Sequence, residues 1–459
     1  MLKTIRNAWS IPDLRNKILF TLLIILVFRI GSVIPVPFIN TNVLADVMSA
    51  ANGLDQSSNM IAYLNTLSGG AFSNATLFAM GITPYINSSI IIQLLCVAIP
   101  ALERLTKEGE AGRRKIGTIT RYTTVGLGLI QGTAYYFYLF NTVDQNKGDY
   151  LNKHILIDSV YSDLFTKIFA GVVIVLVFTA GTALMMWLGE QINKNGIGNG
   201  ISILLFAGIV ARLPKTIDTL IRIWGLGTGS DATGGIAQPK YFIFVIVWII
   251  MFLAIIWLIT FMQDSERRIP IQYAKRVVGR KMYGGQSSHL PIKVALGGVL
   301  PIIFASSILS IPGTINLFLG QKEGFWGTFF SLFNSNSWLY IGLYFVLILM
   351  FAYFYTTIQY NPVEMANNLK QNNGTVPGIR PGAPTAAYIK KILSRITLIG
   401  ALFLSVIALV PLLYGKLDIN LSGLSLGGTS IIIIVGVALE TVKQLESQMM
   451  MRHYKGFLD

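Results

Sequence analysis

Few residues in this chain could perform covalent chemistry. The three histidines, His154, His289 and His453, stand far apart in connecting stretches or the tail, a spacing that does not suit a metal site. No HExxH motif and no phosphate-binding GxxxxGK[ST] loop occurs. The single cysteine, Cys96, lies inside an apolar run, where a thiol serves packing and no disulfide can form. Glu190 and Glu440 fall at the ends of apolar stretches rather than at their centres. Arg29 lies near the outer end of the first such stretch, where a long side chain can snorkel and a structural role is expected. A proton-coupled pump needs ionisable groups at mid-membrane, and the apolar stretches carry none there. These residues predict no enzyme, no cofactor and no metal. What remains is branched aliphatic residues at helical spacing and clustered Lys and Arg.

The aliphatic candidates come in a few places. Ile82 and Ile86 are four apart and share a helix face. Ile201 and Leu205 repeat that spacing just after GIGNG, where Asn199 can cap a helix. Ile303 follows Pro301 among the small residues Ala305, Ser306 and Ser307, and Ile433 lies in IIII after GGTS. Spacing alone makes each a lipid-facing or core residue, and nothing in it says that they meet.

The elements that position them are membrane spans. Of the 459 residues 53% are hydrophobic and 12% charged, which excludes a soluble protein. Runs of about 20 apolar residues, enough to cross a bilayer, fall near 18–36, 75–99, 117–140, 166–189, 199–213, 241–262, 291–312, 338–360, 387–411 and 428–448. The N-terminal stretch has Lys3, Arg6, Arg15 and Lys17 before its apolar run, but no small-x-small cleavage site follows, so a retained span is expected. The fifth run is short, stops at Arg212 and Pro214, and needs shelter from its neighbours. Ten spans put both termini on one side, which then carries most of the 36 Lys and Arg residues and nearly all of the net charge of +15. The positive-inside rule makes that side cytoplasmic.

Residues 64–95 depart from an ordinary span. The first part is broken by Gly69 and Gly70; the second, from Leu77, is long and apolar yet carries Pro84, Asn87, Ser88, Ser89 and Gln93. Broken backbone and amides are tolerated at membrane depth where they face protein or a water-filled cavity. The stretch is therefore expected to line a path through the membrane, with the broken part blocking it.

Two cytoplasmic loops exceed what a connector needs. In loop 263–290, Ile269, Ile271 and Tyr273 alternate with polar neighbours, predicting an extended hairpin arm crowded by Arg267, Arg268, Lys275, Arg276, Arg280 and Lys281. In loop 361–386, Pro377, Gly378, Pro381 and Gly382 should hold Arg380 at a stiff turn tip. The simpler reading is a basic face that sets topology and touches anionic lipid. The Gly- and Thr-rich outer loop, within 224–240, separates residues 1–223 from 241–459 and could act as a hinge.

Long strings now support a resemblance. FRIGSVIPVP, LSGGAFSNATLFAMGITPYINSSIIIQLL, KEGEAGRRKI, MWLGEQINKNGIGNGISILLFAGIV, RRIPIQYAKRVVGRKMYGGQSSHLPIKV, GVLPIIFASSIL, NPVEMANNLK, VPGIRPG and GGTSIIIIV occur in order and nearly end to end. In these the chain resembles the bacterial SecY family, the channel subunits of the protein translocon. The resemblance implies an all-α polytopic membrane protein, with ten transmembrane helices in two inverted five-helix halves around a central hourglass pore. It implies a plug at about residues 59–72, bearing Asn59, Leu64, Leu67, Gly69, Gly70 and Phe72. A pore ring carries over to Ile82, Ile86, Ile201, Leu205, Ile303 and Ile433, with leucine at the second position of the fifth span. A lateral gate between the second-and-third and seventh-and-eighth spans makes Gln93, Ser306 and Ser307 its candidate polar residues. The basic loops, with Arg380 at the tip of the second, are implied to dock the ribosome and the SecA motor. SecE and SecG subunits, preproteins bearing signal sequences and membrane lipid are the other implied partners, in the bacterial cytoplasmic membrane. A ten-span secondary transporter of a small solute is the alternative, disfavoured by the missing mid-span charges and the basic arms. An intramembrane enzyme lacks its motifs.

Overall fold

The computed structural model describes residues 2–44, 65, 68–145, 156–157, 164–228, 239–273, 276–278, 281–283, 287–295, 297–319, 325–333, 337–414 and 428–455. Asn59, Leu64, Leu67, Lys275 and Arg280 lie outside the described residues, as does most of the expected hinge.

The chain is mostly helical. Helices α1 (Leu2–Ser10) and α2 (Pro12–Gly31) come first, and residues 68–82, just before the next helix, are irregular turns. Then come α3 (Thr83–Ala98), α4 (Pro100–Lys107), α5 (Glu110–Gln145), α6 (Leu164–Asn195), α7 (Gly200–Val210), α8 (Leu213–Thr228) and α9 (Pro239–Asp264). After a small β region come α10 (Leu300–Leu319), α11 (Phe325–Leu332), α12 (Trp338–Gln359), α13 (Pro362–Gln371), α14 (Ala383–Tyr414) and α15 (Gly428–Lys455). A helix thus occupies the main part of each of the ten expected spans. Among the described residues, four stretches are by themselves long and apolar enough to cross a bilayer: Phe165–Asn195, Tyr241–Asp264, Trp338–Gln371 and Ala383–Tyr414. Helices α3 and α4, bent by 100° at their junction, meet the same test only when taken together. The others fall short for local reasons. Helix α2 opens on Asp13, Arg15 and Lys17, α5 is dotted with Thr, Tyr and Gly, and α7 has 11 residues.

Two expected boundaries are corrected. The second span does not begin at residue 75, because Leu77–Ile82 are turns and the helix starts at Thr83. Gly81 holds φ at +55°, and Pro84 sits at the helix start, where its missing N–H is harmless. The seventh span does not begin at residue 291, because Pro291–Lys293 belong to a strand and the helix starts at Leu300. Apolar runs mark hydrophobicity, and neither turn nor strand interrupts that signal.

Packing joins the first five spans to the last five along two seams. Helix α10 lies against both α3 and α5, and α7 lies against α15. Between the seams one apolar cluster draws buried residues from both parts of the chain, Ile24, Ile86 and Leu204 among them with Ile302, Tyr344 and Ile432. Lipid tails are as apolar as leucine, so close fit rather than water exclusion holds these helices. The outward faces match this: Leu22, Leu26, Ile250, Leu253 and Trp257 are exposed on α2 and α9.

Candidate functional site

The broken segment is built from backbone that no helix can serve. Gly69 and Gly70 hold φ at +68° and +93°, conformations that side chains resist. A Cβ on Gly69 would stand 3.1 Å from the Gly208 Cα of α7, so glycine also permits the close approach. Local side chains meet the orphaned groups. Ser68 Oγ accepts from the Phe72 N–H at 3.0 Å, and Asn65 Oδ1 accepts from the Ser73 N–H at 3.2 Å. Ties reach outward as well. Arg29 Nη1 donates to the Gly69 carbonyl at 3.3 Å, and the Tyr135 hydroxyl donates to the Phe72 carbonyl. The Leu77 N–H donates to the Ile34 carbonyl at 3.0 Å. Phe72 itself is buried against Tyr135, with ring centroids 4.3 Å apart.

All six ring candidates belong to one apolar cluster that draws on both parts of the chain. Ile82, Ile86, Leu205, Ile303 and Ile433 are buried, and Ile201 is half-buried against them. Two pairs sit where the sequence put them. Ile82 is the residue before the first turn of α3, with Ile86 one turn on. Asn199 caps α7 by accepting from the Ile201 N–H at 3.2 Å, and Leu205 lies one turn further.

On α10, the helix that meets α3 and α5, Ser306 and Ser307 are buried. Gln93 is half-buried on α3 and donates to Ser89 Oγ of its own helix at 3.1 Å. Ser88 Oγ donates to the Thr120 carbonyl at 2.8 Å, fastening α3 to α5 beside the seam. Arg121 of α5 holds Glu190 of α6 through two bonds of 2.7 and 2.8 Å, Nε to Oε1 and Nη2 to Oε2. On α4, Lys107, hydrogen-bonded at 2.6 Å, holds the Glu103 carboxyl below the usual carboxylate range.

The expected hairpin arm is present, and a third strand, from the second basic loop, joins it unforeseen. Strand β1 (Glu266–Tyr273) pairs antiparallel with β4 (Ser287–Lys293), from Glu266 opposite Lys293 to Gln272 opposite Ser287. Between them β2 (Arg276–Val278) pairs with β3 (Lys281–Tyr283). The other edge of β1 takes β5 (Gly374–Thr375) from the second basic loop, so the two loops form one body. Its core is Ile269, Ile292, Val376, Ile389, Leu393 and Ile396. The expected alternation holds: Ile269 and Ile271 are buried while Arg267 and Arg268 are exposed. Arg268 Nε donates to Glu266 Oε1 at 2.7 Å. Arg276 and Lys281 fall on β2 and β3. Arg380 is exposed in a turn, and its carbonyl accepts from Thr385 Oγ1 at 2.8 Å.

Sequence reasoning missed Tyr135 and the β5 pairing. Tyr135 is one aromatic among several on α5, and only the fold brings it to Phe72. Strand β5 is two residues long, too short for an alternation to register.

Comparison with known proteins agrees with this architecture. The SecY family profile matches residues 76–442. The protein translocase subunit SecY of Halalkalibacterium halodurans is 44% identical over 464 residues, covering 100% of both chains. Among solved structures, a protein-conducting channel matches with a TM-score of 0.60 at 16% identity, covering 94% of this chain and 92% of that one. Sec61 in the canine ribosome–channel complex from the endoplasmic reticulum matches with a TM-score of 0.55 at 16% identity, over the same 94% and 92%. The chain belongs to the SecY family, and it is a multi-pass membrane protein.

Proposed function

We propose that this SecY-family chain is the central subunit of the channel that passes secretory proteins across a membrane and releases membrane segments sideways into lipid. The observation that carries the reading is the apolar cluster, which gathers Ile82, Ile86, Ile201, Leu205, Ile303 and Ile433 from four elements beside a segment of broken backbone. A channel for unfolded chains must admit any side chain and leak no ions. Aliphatic side chains serve both needs, because they bend around a passing chain and a narrow apolar constriction resists wetting. Residues about 59–72 would plug the path at rest. The seam between α10 and the pair α3 and α5 would part as the lateral gate, with Ser306, Ser307 and Gln93 along it. An apolar segment of about 20 residues then moves from the path into lipid favourably.

Energy would come from partners. The joined basic arms, with Arg267, Arg268 and Arg380 exposed, suit ribosomal RNA phosphate or an acidic surface on the SecA motor. The Sec61 relative assembled with a ribosome supports the first partner. SecE and SecG would complete the complex in the bacterial cytoplasmic membrane, with both termini cytoplasmic as the charge asymmetry requires. Depleting the chain from cells tests the function. Many secreted precursors should accumulate uncleaved in the cytoplasm, whereas loss of a single solute's uptake with normal secretion would refute the channel reading.

A further inference from the structure

Arg29 is out of keeping with its surroundings. It is half-buried in the last turn of α2, between the exposed apolar residues Val27 and Ile30. Among the described residues no ion pair engages it. A cation at the membrane without a carboxylate needs another use for its donors. The one hydrogen bond found for it runs from Nη1 to the Gly69 carbonyl, 40 residues on, at 3.3 Å. That carbonyl belongs to left-handed backbone at φ +68°, which no helical N–H serves. Three residues further, the Phe72 carbonyl receives the Tyr135 hydroxyl. Gly208 of α7 closes the third side, within 3.1 Å of where a Gly69 Cβ would lie. All three contacts come from the first five spans.

We propose that Arg29 is a latch, a positioning residue whose guanidinium clasps the Gly69 carbonyl and sets how readily the broken segment leaves the path. This rests on the reading of that segment as the plug. The physics gives the latch two settings. While the path is dry, a charge-assisted bond to a carbonyl is strong, because little else competes for the donor. Once a translocating chain brings water in, the guanidinium is hydrated and the clasp weakens. A carboxylate in the carbonyl's place would keep more residual attraction for the guanidinium once the path is wet. A cation with a carbonyl partner therefore suits a segment that must come and go.

The test uses the whole chain assembled with its partner subunits in planar bilayers. Arg29→Met keeps an apolar stem and removes every donor; it should raise resting ion conductance about tenfold, the weight of one charge-assisted hydrogen bond. Arg29→Lys, which keeps charge and a donor, should restore most of the seal. In a chain lacking residues 60–70, which leaks on its own, Arg29→Met should add nothing. A further tenfold leak in that background would overturn the latch and make Arg29 a general prop. Wild-type conductance in the full-length Arg29→Met channel would overturn it equally. If the deletion itself does not leak, the plug reading fails and the latch with it. Should Arg29→Met fail to assemble, Arg29→Gln gives the same comparison. Its leak must rise in the full chain and vanish as a difference in the deleted one, and any other pattern overturns the latch.

Discussion

In the membrane core Ile82, Ile86, Leu205, Ile303 and Ile433 lie buried in one apolar cluster, and charge stands at the helix ends, as in the Arg121–Glu190 pair. In the cytoplasmic arm the order is reversed. Ile269 and Ile271 are turned into a small interior so that Arg267 and Arg268 can stand exposed on the same strand. The core gains selectivity from having nothing to offer a passing chain except a close apolar fit. The arm gains it from surplus charge, which water and salt attenuate. Changes in the core should therefore act on the seal and be insensitive to ionic strength. Changes in the arm should act on partner-driven transport and fade as salt rises.

The largest effect is expected where the two chemistries are mixed. Ile303→Asp puts an acid into the apolar cluster, where an unpaired charge costs several kcal/mol or draws in water. Resting ion conductance should rise strongly, while Ile303→Leu, which conserves volume, should stay sealed. An Ile303→Asp channel as tight as the parent would end the contrast between core and arm. A smaller effect is expected from Tyr135→Phe, which removes the donor to the buried Phe72 carbonyl and keeps the ring. The carbonyl keeps the Ala75 N–H at 3.2 Å, so losing the hydroxyl should cost about 1 kcal/mol, read as a lower melting temperature of the purified complex. An unchanged melting temperature would mean that the segment is held by its own turns. Smaller still in its effect on the fold is Arg380→Glu, on an exposed turn. Assembly should be normal while motor-driven export slows, by a factor that shrinks as salt is added. Export at the parental rate would show that the turn is a bystander, and reduced assembly would show that it is structural.

Much of the arm was legible because strand alternation is a local signal: Ile269 and Ile271 announced their face without help from distant residues. The cap at Asn199 was legible for the same reason. The Gly69–Gly70 break was visible, but its true extent to Ile82 was hidden, because Leu77–Ile82 reads as apolar whether it is helix or turn. The ring was the hardest to see. Ile82, Leu205, Ile303 and Ile433 are ordinary aliphatics in their own helices; family resemblance proposes them as a ring, and the fold places them in one larger apolar cluster. Long-range contacts such as Arg29 to Gly69 and β1 to β5 leave no trace in local pattern, since each depends on where two distant elements come to rest.

The central claim is that a translocating chain passes through the apolar cluster, and it can be measured at one residue. A photo-crosslinker replaces Ile303, and a secretory chain is stalled in transit. The same probe at Leu253, exposed on the outward face of α9, serves as the control. A strong adduct from position 303 and none from position 253 is the expected result. No adduct at 303, or equal adducts at both, would contradict a path through the ring.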